Sequence, residues 1–384
     1  MHFSVKLKDS RLLGLLVTTI ILLSGFVLYE LKYFSTPLLL GFDGPYYYVQ
    51  VSNILSTGHL KYSDPPLAFY VLVGFALLLG DVVAGIKIGS IIIVLIGGYA
   101  VYLIVEEITD PIGGVIASGL YAYSPHLARM SYDLIKNAMG ITPLLFSLLL
   151  TYLAVKYGKL LFSVLSSLLV VVTGLTHVLD FAVIMVITLL EFAYLALKKC
   201  DVKFVAPQAL SAIVLLALGF AYASIVGGDP YKGVSLIRMM ILGESSSEIK
   251  HTILLAQLSY PLLIGLAGLI SCSKLRISGR TLLLSSSIVL IALNMPVIPA
   301  SFLWRFNLMS AALCPIILGT LVGNIGDRRL KVALALVVIG AIIPQYVFQL
   351  EAARPSISIE EYRELKQLVS EYSDNTWFIV PDVR

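Results

Sequence analysis

Asp43, just ahead of a predicted helix, is the leading candidate in this sequence for a catalytic residue. The residues after Asp43 include apolar side chains at helical spacing, namely Tyr47, Val51, Ile54 and Leu55. This pattern is typical of a helix lying in a membrane interface, and Pro45 suits its first turn. The Asp43 carboxylate then either caps the helix amides or acts as a general base that deprotonates an acceptor hydroxyl.

Basic side chains in the segment 126–137 are a second candidate. The charge pattern of the chain makes this segment external, where Arg and Lys are uncommon, so Arg129 and Lys136 need a reason. One reason is an anionic ligand such as a lipid phosphate, which Arg grips with two hydrogen bonds and Lys holds as a point charge. The other is contact with lipid headgroups or an ion pair with Asp133. Arg305, between two aromatic residues near the external end of a predicted span, presents the same choice.

Other polar residues give weaker signals. His177 and Asp180 lie at a predicted tight external turn, where a histidine is more often packed and hydrogen-bonded than a ligand, although either could assist a metal or an acceptor. The three cysteines are far apart and show neither a disulfide framework nor a zinc spacing. The charged residues of 227–251 form no catalytic spacing and indicate a solvated loop that covers a cavity.

The composition requires a membrane. Of the 384 residues, 58% are hydrophobic and 13% are charged, whereas soluble domains have roughly 25% charged residues. The net charge of +4 is small and the basic residues lie between apolar stretches, which indicates membrane topology rather than nucleic-acid binding. The apolar stretches that predict spans are 12–29, 84–104, 112–125, 138–155, 160–176, 178–197, 205–226, 252–271, 281–299, 303–323 and 331–350.

Basic clusters set the sidedness of these spans. They come before the first span and after the fourth, sixth, eighth and tenth, and basic clusters favour the cytoplasmic side. An even number of crossings separates each pair only if the apolar piece Leu67–Gly80, about 21 Å long as a helix, does not cross. We therefore predict an all-α, multi-pass protein of the cell membrane with about eleven transmembrane helices, a cytoplasmic amino terminus and an external carboxyl terminus. Its long first external loop, residues 30–83, would carry interfacial helices.

The predicted membrane domain covers residues 1–350. Its first span follows basic residues but lacks a small-residue cleavage signature, which indicates a retained helix rather than a signal peptide. Residues 351–384 form a short external tail, the start of a possible soluble domain, with a helix-like run at 359–372 and a possible strand at 377–380.

The sequence resembles the GT-C superfamily of integral membrane glycosyltransferases, which use polyprenyl-phosphate-linked sugars. The matching motifs are Phe42-Asp43-Gly44-Pro45-Tyr46-Tyr47 in the first external loop, Ser124-Pro125 with Arg129 and Asp133 in the second, and the late pair Arg305-Phe306. The run Asp64-Pro65-Pro66-Leu67-Ala68-Phe69-Tyr70 is also similar to a segment of the aminoarabinose and protein-mannosyl branches.

The resemblance implies a GT-C-like fold and transfer of a sugar from a polyprenyl-phosphate donor to an acceptor hydroxyl on the external face. It implies Asp43 as the catalytic base and Arg305, with Arg129 or Lys136, as the group that holds the donor phosphate. The expected supporting residues are Asp133, His177, Tyr46 and Tyr47. A divalent metal could bridge Asp43 and Asp133, but several branches work without one. The lipid-linked sugar and membrane lipids are the expected partners, and the resemblance does not identify the acceptor.

The sequence departs from the superfamily pattern in two respects. Gly44 follows Asp43 where some members pair two acidic residues, and no Trp-Trp-Asp-Tyr-Gly run occurs in these residues, which disfavours an oligosaccharyltransferase. The alternatives are a lipid or polysaccharide transporter or flippase, which would use charges at the membrane midplane in repeated helices, and a noncatalytic membrane subunit. The charged residues lie mostly at the predicted helix ends, which favours the enzyme.

Overall fold

A computed structural model describes residues 2–226, 251–296, 298 and 300–371 of the chain. Its regular elements there are helices, and one isolated parallel bridge joins Gly41 to Pro355. The helices are α1 (His2–Tyr33), α2 (Gly44–Thr57), α3 (Leu67–Leu79), α4 (Val82–Ile108), α5 (Pro111–Ala122), α6 (Pro125–Asp133), α7 (Ile135–Tyr157), α8 (Leu160–Thr176), α9 (Val178–Leu197), α10 (Ala206–Val226), α11 (His251–Ser271), α12 (Ile277–Leu293), α13 (Ala300–Leu308), α14 (Ser310–Gly323), α15 (Arg328–Ala352) and α16 (Ile359–Glu371). The loop predicted at 227–251 lies almost wholly outside the described residues, as does the strand predicted at 377–380.

Several helix starts follow from local sequence. The Asp81 side chain accepts a hydrogen bond from the Ala84 amide at the start of α4, and Asp110 accepts one from the Gly113 amide at the start of α5. Both aspartates have extended backbone, the conformation that lets a carboxylate reach the free amides of the first turn. Short polar breaks therefore end one apolar helix and start the next.

Within the described residues, five helices are long and apolar enough to cross a membrane, namely α1, from Ser10 onward, together with α4, α7, α9 and α15. A sixth candidate is the pair α13 and α14, which bends by 42° between them. The stretch 303–323, predicted as one span, is two helices, and α5 ends at Ala122, before the end of the predicted span 112–125. Several apolar helices support a multi-pass membrane protein, while the count of eleven and the orientation of the termini stay predictions.

The predicted amphipathic helix of the first loop is α2. Tyr47, Val51 and Ile54 are buried on it, whereas Leu55 is exposed. The buried face packs against α3 and α4 rather than standing free of the protein. This packing connects the segment that carries Asp43 to the centre of the bundle, where α4 also contacts α1, α5 and α7.

Ion pairs join three of the basic clusters at one end of the bundle. Arg11 of α1 pairs with Glu106 and Glu107 near the end of α4, and Lys156 of α7 also pairs with Glu107. Lys331 of α15 pairs with Asp110, which caps the start of α5. The predicted topology requires these clusters to share one side of the membrane, and Asp43 lies toward the other end of the bundle, beyond the carboxyl end of α1.

Small residues bring α5 and α14 into close contact. A methyl group added to Gly319 of α14 would collide with the Ala117 side chain and lie 3.2 Å from the Gly113 carbonyl oxygen. Such small residues let two helix backbones approach closely in a membrane, where packing rather than water drives association. The α5–α14 contact therefore depends on glycine at position 319.

We predict that Gly319→Val destabilises the protein by about 1–3 kcal/mol, because an overpacked contact forces the helices apart. Thermal unfolding in detergent should show a clear loss of Tm. Gly340→Val on α15 is the matched control, since a side chain there meets no atom within 4 Å. Equal losses in the two variants would show that helix propensity, not the contact, is responsible.

Candidate functional site

Asp43 precedes α2 but does not cap it. Its backbone is helical, with φ −82° and ψ −2°, and its side chain forms no capping hydrogen bond. A capping residue typically has extended backbone, as Asp81 and Asp110 do in this chain. Within the described residues no group donates a hydrogen bond to the Asp43 carboxylate. The structure therefore does not show Asp43 as a helix cap, which was the first of the two interpretations of this residue.

The loop that carries Asp43 is held from two sides. The Gly41 amide donates to the Arg354 carbonyl oxygen at 2.8 Å, and the Phe42 amide donates to Oδ1 of Asp133 at 2.7 Å. Gly41 has φ +78°, and a methyl group there would collide with the Tyr132 carbonyl oxygen and lie 2.8 Å from Cα of Asp133. Only glycine combines this backbone conformation with so close an approach.

Charged side chains from separate parts of the chain surround Asp43. Burial raises the pKa of its carboxyl group, the negative charges of Asp133 and Asp64 raise it further, and the positive charges of Arg305 and Lys136 lower it. Burial is the largest of these effects. A carboxylate with a raised pKa is a stronger base than an ordinary aspartate, and this suits proton abstraction.

Arg129 forms an ion pair with Asp133, one of the two alternatives predicted for it. Its guanidinium lies 2.7 Å from Oδ2 of Asp133, four residues along α6, and also donates to the Tyr132 hydroxyl at 3.0 Å. Asp133 thus uses one carboxylate oxygen for Arg129 and the other for the Phe42 amide. Arg129 orients the group that holds the Asp43 loop.

Lys136 is also paired. Its ammonium group forms an ion pair with Asp64 and lies 5.8 Å from the ring centroids of both Tyr46 and Phe69. The Tyr46 hydroxyl donates to the same carboxylate, and the Tyr47 hydroxyl accepts a hydrogen bond from the Lys136 amide at 3.1 Å. These contacts fasten α2 to the start of α7 and to the segment before α3.

Arg305 differs from both of these cations. It is exposed on α13 and stacks over the Trp304 ring at 5.1 Å. Among the described residues, no carboxylate lies within ion-pair distance of its guanidinium, although Arg305 is close enough to Asp43 to lower the pKa of that carboxyl group. Its charge is therefore available to an anionic ligand.

His177 lies apart from this group. Its Nδ1 lies 2.8 Å from Oδ2 of Asp180, which is fully buried at the start of α9. The Asn137 amide nitrogen, oriented as the contacts require, donates to both oxygens of the same carboxylate at 3.1 Å. His177 contacts none of the charged residues around Asp43 in the described part of the chain. Asp180 therefore joins α9 to Asn137 on α7, and His177 holds the Asp180 carboxylate from the start of α9.

The acidic residues near Asp43 do not form a ready metal site. Residues 2–226, 251–296, 298 and 300–371 contain no group of three or more His, Cys, Asp or Glu side chains that could hold a metal ion. Asp133 and Asp43 are neighbours, but both oxygens of Asp133 are engaged. The proposed bridging of Asp43 and Asp133 by a divalent metal therefore gains no support from these side chains.

Sequence reasoning missed the part played by Asp64. In the sequence Asp64 is only the first residue of a motif, whereas in the structure it contacts both Lys136 and Tyr46. The sequence feature that marks this position is the pair of prolines after Asp64, because they restrict the backbone just before α3. Its partners lie far away in the sequence, so the ion pair itself could not be read there.

We predict that Gly41→Ala loosens the loop around Asp43, because alanine brings both a strained backbone and a collision with α6. Hydrogen–deuterium exchange should then be faster across residues 41–47. Gly58→Ala is the matched control, since Gly58 has φ +81° but meets no atom within 4 Å. If Gly58→Ala accelerates exchange at 41–47 equally, the close approach to α6 is not what holds the loop.

Comparisons with known proteins agree on one superfamily. Residues 63–225 match the family described as dolichyl-phosphate-mannose-protein mannosyltransferase, a range that includes Asp64, Arg129, Asp133 and Lys136 but neither Asp43 nor Arg305. The fold is similar to the crystal structure of the Archaeoglobus fulgidus oligosaccharyltransferase in complex with zinc and sulfate, with a TM-score of 0.63 and 17% identity. The alignment covers 92% of this chain and 56% of that one, so the chain spans little more than half of that protein's length. No curated protein matches the sequence.

The two matches confirm the resemblance drawn from the sequence motifs. The family match over residues 63–225 supports a GT-C membrane glycosyltransferase, and the structural similarity, at 17% identity, supports the same fold. The structural similarity extends over nearly the whole chain, whereas the family match is confined to its first part.

Proposed function

We propose that this chain, which has the fold of the GT-C membrane glycosyltransferases, transfers a sugar from a polyprenyl phosphate to an acceptor hydroxyl, with Asp43 as the general base. The observation that carries the proposal is that an uncapped, partly buried carboxylate, Asp43, lies close enough to the guanidinium of Arg305 for that charge to lower its pKa, while Arg305 forms no ion pair within the described residues. A base and a phosphate-binding cation are the two groups that this reaction needs most.

The reaction is a single displacement at the anomeric carbon. The acceptor oxygen attacks that carbon while the Asp43 carboxylate takes the hydroxyl proton. The bond between the anomeric carbon and the phosphate oxygen breaks, and the polyprenyl phosphate leaves with the electron pair. Phosphate is a good leaving group, so positioning and charge stabilisation matter more than a strong acid.

Arg305 is the residue to which we assign the donor phosphate. A guanidinium can form two parallel hydrogen bonds to a phosphate group, and that of Arg305 is exposed beside the aromatic ring of Trp304. Arg129 and Lys136 support the site differently, because each already holds a carboxylate, Asp133 and Asp64 respectively. No step of this mechanism is assigned to a metal ion.

The site would face the external side of the membrane. Asp43 and the start of α7 lie toward the end of the bundle opposite to the Arg11, Lys156 and Lys331 ion pairs. Because basic clusters favour the cytoplasm, this arrangement is what an external site with a cytoplasmic amino terminus requires. A polyprenyl donor would then enter from within the bilayer.

We predict that Asp43→Asn lowers turnover by about 10²–10⁴-fold, because the amide cannot accept the acceptor proton, while the Tm stays close to that of the wild type. Sugar transfer from a panel of polyprenyl-phosphate sugars by the purified protein provides the measurement. Asp81→Asn is the matched control, since Asp81 does cap a helix. If both variants keep full turnover, the chain is a transporter or a noncatalytic subunit instead.

The pH dependence of kcat/KM gives a second test of the base. Asp43 acts in its ionised form, so activity should fall as the pH drops through its pKa, which burial raises. Arg305→Ala removes a charge that lowers this pKa, so the acidic limb of the remaining activity should move to higher pH. Asp133→Asn removes a charge that raises it, so that limb should move to lower pH. Shifts in the same direction for the two variants would contradict Asp43 as the titrating base.

A further inference from the structure

A chain of buried and half-buried polar side chains joins α6, α11, α12 and α13 next to the candidate site. Nε2 of His126 donates to Oδ1 of Asn307 at 2.9 Å, and Nδ2 of Asn307 donates to Oδ1 of Asn294 at 2.8 Å. Nδ2 of Asn294 in turn lies 3.2 Å from the Ser310 hydroxyl. The Tyr260 hydroxyl lies 2.7 Å from Nδ1 of His126, and the two rings stack with centroids 5.6 Å apart.

These contacts meet where one apolar segment is broken. α13 and α14 bend by 42° at the single residue between them, and Asn307 and Ser310 flank that break. Asn294 directly follows the last residue of α12 and is joined to this break by its hydrogen bonds with Asn307 and Ser310. The polar side chains therefore fix the direction of the short helix α13. This direction differs by 42° from the one that α13 would have if it continued straight into α14.

The neutral imidazole of His126 can form hydrogen bonds with both Asn307 and Tyr260. Nε2 carries the proton that is donated to Asn307, and Nδ1 accepts from Tyr260. Burial lowers the pKa of His126 to about 4, so the ring keeps this form at neutral pH. A fully satisfied polar network of this kind specifies one arrangement of the helices that carry it.

The helices joined here are those that carry the charged groups of the site. Arg305 lies on α13 two residues before Asn307, and His126 lies on α6 together with Asp133. Asp133 holds the Phe42 amide next to Asp43. Hydrogen bonds and short helical segments thus connect Arg305 to Asp43 without interruption.

We propose that His126 and Asn307 are positioning residues that fix the guanidinium of Arg305, and so the donor phosphate, at a set place relative to Asp43. This inference rests on the proposed function. Arg305 needs such support because, among the described residues, no carboxylate holds its guanidinium, so its place depends on the helix that carries it. Side-chain hydrogen bonds fix the relative position of two helices more specifically than apolar contacts between them would.

The test is binding of a short-chain polyprenyl phosphate, without a sugar, to the purified full chain. Arg305→Ala should weaken binding about 10-fold or more, because it removes the phosphate contact. His126→Phe, which keeps a ring to stack on Tyr260, and Asn307→Leu should each weaken binding by a similar factor. In the double variant with Arg305→Ala, His126→Phe should add almost nothing, because both changes act through the same guanidinium.

Gln208→Leu separates positioning from general destabilisation. Gln208 is fully buried and joins Ser163, Thr151 and the Phe204 carbonyl in a polar network away from α13. This variant should lose Tm as the His126 variant does, yet bind polyprenyl phosphate as the wild type does. An equal loss of binding in Gln208→Leu would overturn the positioning role.

The outcomes distinguish the two proposals. If Arg305→Ala weakens binding but His126→Phe and Asn307→Leu do not, or if the His126 and Arg305 effects multiply, the positioning inference is wrong and the proposed function stands. If the wild-type chain does not bind polyprenyl phosphate, or Arg305→Ala binds it normally, the assigned donor site is wrong and the inference falls with it.

Discussion

The candidate site depends on the carboxylate of Asp133, which serves two segments at once. One oxygen accepts the Phe42 amide and the other holds the Arg129 guanidinium. Hydrogen bonds to an ionised carboxylate are among the stronger contacts in a protein. The first connects the Asp43 loop to α6, and the second fixes the orientation of the carboxylate itself. The close approach at Gly41 then leaves this loop little freedom to move.

The three cations near Asp43 differ in whether a carboxylate already pairs with them. Arg129 and Lys136 each neutralise a buried or half-buried carboxylate, which a low-dielectric environment requires. Arg305 is held instead by the position of its helix, and the polar network at the break between α13 and α14 supplies that position. The site thus combines paired charges with two groups, the Asp43 carboxylate and the Arg305 guanidinium, that form no ion pair within the described residues, and these are the two groups to which we propose to assign the reaction.

Much of the fold could be predicted from the sequence, because hydrophobicity along the chain is a local property. Apolar length and polar breaks predicted most of the helices, including α2 and α16 but not α6, which lies almost wholly in the predicted loop 126–137. The motif order predicted the GT-C resemblance that the comparisons confirm. The boundaries were less predictable. Asn307 and Ser310 break an apolar segment that reads as continuous, since polar side chains can turn a helix only when distant partners satisfy them.

For the site, the sequence by itself determined which side chains could act: a carboxylate at Asp43 and cations at Arg129, Lys136 and Arg305. It left open whether Asp43 caps α2 and whether the cations are paired, because both depend on partners far away in the chain. Only the tertiary structure decided these points, by giving Asp43 a helical backbone that prevents capping and by placing Asp64 beside Lys136. Hydrogen bonds and ion pairs act over a few ångströms, and only folding brings such residues that close.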